Sequence, residues 1–112
     1  MTSNVAHILG RQIPSSALRP PAADELAQWG GPRVVRGKRV LDLGCGDGRL
    51  AFGVAPYARE VVGLDPDAEL IKNATAKASQ QGLRNVRFLA GAGQDLPLGD
   101  GAFDVVILSW TL

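Results

Sequence analysis

Residues 40–48 read Val-Leu-Asp-Leu-Gly-Cys-Gly-Asp-Gly, an apolar strand followed directly by a turn with a glycine at every second position. Glycine adopts backbone angles that are closed to other residues, and without a Cβ atom it lets the chain lie against a ligand. We therefore interpret Gly44, Gly46 and Gly48 as a nucleotide-binding turn. Cys45 belongs to the same turn, and only its backbone is expected to matter.

The spacing of these glycines is G-x-G-x-G, which differs from the dinucleotide fingerprint G-x-G-x-x-G. Asp42 precedes the first glycine by two residues, at the carboxyl end of the strand, where a carboxylate suits an ammonium group better than a pyrophosphate. Both features favour a cofactor that carries positive charge. Asp42 is expected to hold the turn through backbone N–H bonds and to face that ammonium directly or through water.

A second apolar strand ends at Asp65, which follows Gly44 by 21 residues and is followed by Pro66. In α/β nucleotide folds the acid at the end of the second strand accepts hydrogen bonds from the ribose hydroxyls. Asp65 is therefore predicted to bind a ribose, with Pro66 in the same site. The alternative is that Asp65 serves as the N-cap of the next helix, a role that Asp often fills.

Together these residues resemble the class I S-adenosylmethionine-dependent methyltransferase superfamily, most closely its methyltransferase-domain-11 type. The resemblance covers roughly residues 37–112 and rests on four blocks, VLDLGCGDGRL, VVGLD, DLPL and FDVVIL, which begin at Val40, Val61, Asp95 and Phe103. It implies S-adenosyl-L-methionine as cofactor and methyl transfer to an acceptor, expected to be a small molecule. It identifies neither that acceptor nor a catalytic residue.

The resemblance also implies that residues 91–97 frame the adenine ring. Backbone N–H groups near Gly93 and Gln94 are expected to meet a ring nitrogen, and the amide of Gln94 either accepts from the adenine amino group or lies on the surface. Ala92 stands where the commonest form of the family has an acid. The loss of one neutral hydrogen bond costs up to roughly tenfold in affinity.

The chain beyond residue 38 alternates strands with helices, which predicts an α/β, Rossmann-like parallel sheet. Strands are expected at 39–44, 60–64, 86–90 and 104–110, with helices at about 48–57 and 67–81. We expect residues 38–112 to form the cofactor-binding half of a methyltransferase domain, after an N-terminal extension, 1–37, with a helix at 22–29. Leu26 and Trp29 in that helix either cover the cofactor or pack onto the sheet.

The fourth predicted strand is apolar on both faces, as a central parallel strand should be, yet the sequence stops at Leu112. The sheet is therefore expected to be incomplete, with about four strands and the last one left at an edge. Such an edge is normally covered. A missing C-terminal half or a second copy of the chain would cover it, and a truncated relic is the third explanation.

The composition of the chain indicates which partners, location and metal sites are expected. The formal net charge is +1, and the basic excess in residues 1–39 lies mainly in Arg33, Arg36, Lys38 and Arg39, with no interleaved aromatic residues, so no nucleic-acid partner is expected. The single cysteine and the absence of a long apolar run favour a cytoplasmic protein without a membrane segment. With one histidine, no metal site is expected.

Two alternatives to a methyltransferase stay open. An NAD-dependent oxidoreductase shares the strand, the glycine turn and the ribose-binding acid, although Asp42 and the glycine spacing argue against it. A cofactor-binding fragment without catalytic activity would need a partner over the fourth strand. The end of the sequence at Leu112 is the feature that favours it.

Overall fold

The computed structural model describes residues 7–10, 22–92 and 102–109. Its elements in chain order are β1 (His7–Gly10), α1 (Ala22–Gln28), a 3-10 helix (Pro32–Val34), β2 (Arg39–Leu43), α2 (Arg49–Val54), β3 (Glu60–Asp65), α3 (Ala68–Gln80), β4 (Val86–Ala90) and β5 (Val105–Leu108). The strands pair in parallel in the order β1-β5-β2-β3-β4. The predicted α/β, Rossmann-like fold with a parallel sheet and flanking helices is confirmed.

The larger part of the core lies between the sheet and the described helices. Val40, Val61 and Val105 are paired across β2, β3 and β5, and none of them is exposed. Alternate residues of a strand point to opposite faces, so Leu41, Val62 and Val106 form a second buried cluster on the other face. Burial on both faces explains why these strands are continuous apolar runs.

The helices that flank the nucleotide-binding turn are close to their predicted bounds. α2 ends at Val54 instead of about residue 57, because Pro56 has no N–H with which to continue the helical hydrogen bonds. The N-cap of α3 is Asp67, whose side chain accepts from the backbone N–H groups of Glu69 and Leu70, so the alternative that Asp65 caps this helix is wrong.

The position of β5 corrects one part of the predicted sheet. All four expected strands are present, but β5 does not lie at an edge of the sheet. β1 pairs with the side of β5 that faces away from β2, with His7 opposite Val105 and Gly10 opposite Leu108. A short N-terminal strand therefore satisfies the backbone groups of β5 that were expected to need a missing half or a second copy. Among the described residues the edge strands are β1 and β4.

Helix α1 packs on α2. Leu26 is 3% exposed and belongs to the core, and Trp29 packs against the same core, which settles the alternatives for these two residues in favour of packing. The contact between the helices is close. A Cβ atom placed on Gly53 would lie 2.4 Å from Cβ of Ala22, so α1 can approach α2 only because residue 53 is glycine.

Candidate functional site

A cavity of about 440 Å³ lies at the carboxyl ends of β2, β3 and β4. This is the edge of a parallel sheet at which α/β proteins bind their ligands. Gly44, Asp65 and Pro66 line the cavity, as does Ala92, the residue at which the sequence departs from the commonest adenine-binding pattern. The remaining described wall is apolar or glycine: Leu43, Leu64 and Gly91.

The nucleotide-binding turn is held against the end of β3 by three backbone N–H groups. Those of Gly44 and Cys45 donate to the carbonyl oxygen of Leu64, at 2.8 and 3.1 Å. That of Gly46 donates to Oδ2 of Asp65 at 3.0 Å. The turn and the predicted ribose-binding acid, far apart in the sequence, are thus parts of one hydrogen-bonded unit.

Asp65 uses both carboxylate oxygens within the protein. Oδ2 accepts from Gly46, and Oδ1 accepts from the backbone N–H of Asp67 at 2.8 Å, just before α3 begins. An ionised carboxylate has about four acceptor positions, so these two bonds leave room for hydroxyl donors from a ligand. The geometry is that of a carboxylate fixed in direction at the wall of the cavity.

The three glycines of the turn share a backbone conformation, but Gly46 and Gly48 have different surroundings. All have positive φ angles, 73° at Gly44, 57° at Gly46 and 92° at Gly48. A Cβ atom on Gly46 would meet nothing within 4 Å, whereas one on Gly48 would lie 2.8 Å from Phe52 and 2.9 Å from Phe88. Gly48 therefore allows α2 to pack on the sheet. The space beside Gly46 is not filled by other described residues, so this side of the turn is open.

Gly63, in the middle of β3, is a residue that the sequence analysis did not single out. A Cβ atom there would lie 2.6 Å from Cδ1 of Phe88 and 2.9 Å from Sγ of Cys45. Phe88 thus fills the space beneath the turn and requires glycine at two positions, 48 and 63. An isolated glycine within an apolar strand is the available sequence signal for such a close approach.

The charge around the turn is negative. Burial, together with the neighbouring carboxylates of Asp42, Asp65 and Asp47, raises the pKa of the Cys45 thiol to about 12. The thiol therefore stays protonated and is not a nucleophile at neutral pH. The same carboxylates would attract a cation placed at the turn.

Asp42 is fully buried at the end of β2 and is not part of the described cavity wall. Its Oδ1 accepts a hydrogen bond from the hydroxyl of Ser109, which lies just after β5 and is 7% exposed. From the sequence, Ser109 is only one residue of the predicted fourth strand, 104–110. The signal that the sequence lacks is the pairing of β2 with β5, which brings the ends of both strands together.

A second interaction that was not predicted joins α1 to the first residue of α2. Nη2 of Arg49 lies 2.9 Å from Oε1 of Glu25, and the Glu25 side chain is only 5% exposed. Arg49 follows Gly48 directly, so this ion pair fastens the N-terminal helix beside the nucleotide-binding turn. Neither residue carries a local sequence signal that identifies the other.

Two predicted site residues, Gly93 and Gln94, lie outside the described part of the chain. Within the described ranges, no group of three or more His, Cys, Asp or Glu side chains is arranged to hold a metal ion. No helix in those ranges has both the length and the apolar character needed to cross a membrane.

Comparison with known proteins gives the family. A family model described as a methyltransferase domain matches residues 40–112. The uncharacterized methyltransferase YcgJ of Bacillus subtilis is 40% identical over 68 residues, which are 61% of this chain and 27% of YcgJ. The 23S rRNA (uracil(1939)-C(5))-methyltransferase RlmD of Alkalilimnicola ehrlichii is 42% identical over 67% of this chain and 18% of its own. The demethylmenaquinone methyltransferase of Lactococcus lactis is 36% identical over 68% of this chain and 31% of its own length.

Solved structures agree with the sequence relatives. The crystal structure of YcgJ superposes with a TM-score of 0.61 at 37% identity, over 66% of this chain and 32% of YcgJ. The Trypanosoma brucei PRMT1 enzyme-prozyme complex with AdoHcy gives a TM-score of 0.57 at 36% identity, over 67% of this chain and 24% of the matched chain. The chain thus spans less than a third of these relatives. The matched family model, the fold and the glycine turn together show that the chain belongs to the class I S-adenosylmethionine-dependent methyltransferases.

Proposed function

We propose that the cavity at the carboxyl ends of β2, β3 and β4 binds S-adenosylmethionine, and that the protein transfers its methyl group to a small-molecule acceptor. The observation that carries the proposal is the hydrogen bond from Gly46 to Asp65, which joins the turn to a carboxylate on the wall of the cavity. Asp65 would accept from the ribose hydroxyls, and Gly44, Pro66 and the open side of Gly46 would border the rest of the cofactor.

The residues present fit a positively charged cofactor. Three carboxylates surround the turn closely enough to act on the Cys45 thiol, so a sulfonium and an ammonium group would be attracted there. The described wall of the cavity is otherwise mostly apolar, which suits the flat face of an adenine ring. Gly93 and Gln94 stay predicted adenine contacts.

The same observations weigh against a dinucleotide. In the dinucleotide fingerprint the third glycine allows the helix to pack on the strand, three residues after the second glycine. Here Gly48 has that packing role only two residues after Gly46, which shortens the turn. The buried Asp42 adds negative charge behind the turn, where a pyrophosphate would be repelled.

Catalysis in such a site depends on positioning. The bound cofactor supplies an activated methyl group, and the protein aligns it with the acceptor and excludes water. This chain contributes the fixed carboxylate of Asp65 and a turn held by backbone hydrogen bonds. No described residue is assigned as the acceptor's base, and the catalytic residues stay unassigned.

The relatives and the net charge bear on the nature of the acceptor. The demethylmenaquinone relative acts on a small molecule by its name, whereas RlmD acts on 23S rRNA. The near-neutral net charge of +1 favours a small molecule, because nucleic-acid binding usually needs a strong basic patch. A cytoplasmic location likewise stays a prediction.

Calorimetric titration of the 112-residue chain with S-adenosylhomocysteine tests the cofactor. This compound is the demethylated product and cannot react further. We expect saturable binding, with no heat from NAD in the parallel titration. Binding of NAD but not of S-adenosylhomocysteine would support the oxidoreductase instead. A chain that binds S-adenosylhomocysteine yet methylates neither small molecules nor RNA would favour the alternative of a cofactor-binding fragment without catalytic activity.

A further inference from the structure

The hydrogen bond between Ser109 and Asp42 lies at the carboxyl ends of two adjacent parallel strands. Asp42 is paired with Ile107, and Ser109 continues β5 by donating its backbone N–H to the carbonyl oxygen of Leu43 at 2.9 Å. Paired residues in a parallel sheet point to the same face, so Ile107, two residues before Ser109, shows that Ser109 and Asp42 share a face. Their side chains meet directly behind the nucleotide-binding turn.

A serine hydroxyl changes the carboxylate in a specific way. The final side-chain torsion of aspartate has a broad energy minimum, so a carboxylate takes its direction from the groups that bond to it. The Ser109 hydroxyl supplies a hydrogen bond to Oδ1 but no positive charge. It therefore stabilises and orients Asp42 while leaving its negative charge available to a cation.

The charge of Asp42 acts on the turn, because it raises the pKa of the Cys45 thiol. Among the charged groups that raise the pKa of the Cys45 thiol, Asp42 has the largest effect, ahead of Asp65. Cys45 is the second residue of the turn, so a cationic group bound there would lie within the same field. The orientation of Asp42 is thus relevant to whatever the turn binds.

We infer that Ser109 is a positioning residue of the cofactor site, which orients the Asp42 carboxylate toward the ammonium group of the cofactor's amino-acid moiety. The inference rests on the proposed binding of S-adenosylmethionine and goes beyond it by assigning a specificity role to a residue at the end of β5. Ser109 acts through Asp42 and is given no contact with the reacting atoms.

Two ligands separate this role from a general structural one. S-adenosylhomocysteine carries the amino-acid moiety, and 5′-methylthioadenosine lacks it. Ser109→Ala should weaken S-adenosylhomocysteine binding roughly tenfold, as expected for one hydrogen bond to a charged group. It should change 5′-methylthioadenosine binding less than about twofold. Ser109→Thr, which keeps the hydroxyl, should restore most of the affinity, and Ser79→Ala on the exposed face of α3 is the matched control.

Equal weakening of both ligands by Ser109→Ala, or no weakening, would overturn the inference while leaving the proposed function intact. Failure of the unaltered chain to bind either ligand would overturn both. Melting temperatures of all variants identify any that fail to fold, and Ser109→Thr then decides the question, because a folded Thr variant that loses selectivity for the amino-acid moiety contradicts the inference.

A double-mutant cycle tests whether Ser109 acts through Asp42. Asp42→Asn removes the charge with little change of shape and should weaken S-adenosylhomocysteine binding. In that background Ser109→Ala should have little further effect, because the group that it orients has lost its charge. Fully additive losses in the cycle would show that the two residues act independently and would overturn the inference.

Discussion

The backbone N–H of Gly46 donates to Oδ2 of Asp65 across 3.0 Å, and this bond fixes the nucleotide-binding turn to the end of β3. The other oxygen of Asp65 holds the chain just before α3, through Asp67. One carboxylate therefore organises the turn, the strand end and the start of a helix. Its effects on folding and on binding are coupled, and an experiment on Asp65 has to measure both.

Asp65→Ala should lower both the free energy of unfolding and the affinity for S-adenosylhomocysteine. It removes the acceptor of two backbone N–H groups, each worth about 1.5 to 3 kcal/mol when the acceptor is charged, although water will replace part of this. We expect a loss of about 2 kcal/mol in urea denaturation and more than tenfold in calorimetric affinity. Asp47→Ala is the control for stability, because exposed Asp47 accepts, within the described residues, one long bond, from Arg49 at 3.4 Å. Equal stability of the two variants would contradict the role assigned to Asp65.

Gly63→Ala should destabilise the protein through steric overlap. The added methyl group would lie 2.6 Å from a ring carbon of Phe88, and overpacking of this kind costs about 1 to 3 kcal/mol. Phe88→Leu in the same chain should recover part of that loss, since it removes the ring that the methyl group meets. The free energies of unfolding of the single and double variants, measured in urea, give the interaction free energy between residues 63 and 88. Additive losses would show that Phe88 does not set the requirement for glycine.

The parts of this fold that could be predicted are those set by local sequence. The turn from Gly44 to Gly48 and the acid at Asp65 are read from glycine spacing and from an apolar strand that ends in a carboxylate. The bounds of β4 are as expected, and α3 ends near Gly82, whose φ of 67° favours glycine. In each case the determining residues are neighbours in the chain.

The parts that could not be predicted depend on residues far apart in the sequence. β1 joins the sheet through a partner about a hundred residues later, and the run His7–Gly10 is only four residues long, too short for a strand pattern to be recognised. The hydrogen bond from Ser109 to Asp42 and the ion pair of Arg49 with Glu25 likewise arise only when strands and helices are placed together. Tertiary pairing, not local propensity, fixes these contacts.

The ion pair of Glu25 with Arg49 should contribute far more stability than the surface pair of Glu60 with Arg87. The Glu25 side chain is 5% exposed, whereas those of Glu60 and Arg87 are 40% and 66% exposed and their closest atoms are 3.8 Å apart. Removing one charge of a buried pair leaves the other poorly solvated. We expect about 2 kcal/mol for Glu25→Gln and less than about 0.5 kcal/mol for Glu60→Gln in urea denaturation. Similar losses in the two variants would contradict a structural role for the link between α1 and α2.

The buried thiol of Cys45 makes the stability depend on pH in the alkaline range. Its folded-state pKa is raised from 9.0 to about 12, first by burial and then by the charge of Asp42. The contribution is complete below pH 9, where the thiol is protonated in both states, and it is lost as the pH rises toward 12, because only the unfolded chain releases the proton.

The loss over this range should be on the order of a few kcal/mol, at 1.36 kcal/mol for each pKa unit. Cys45→Ala, which fits the small buried space, isolates the contribution of the thiol. The free energy of unfolding of the unaltered chain should fall more steeply between pH 9 and pH 10.5 than that of Cys45→Ala. Iodoacetamide at pH 8 should alkylate Cys45 rapidly in urea and slowly in the folded chain, as followed by mass spectrometry. Rapid alkylation of the folded chain, or parallel pH profiles, would show that the thiol is accessible and that its ionisation is not coupled to folding.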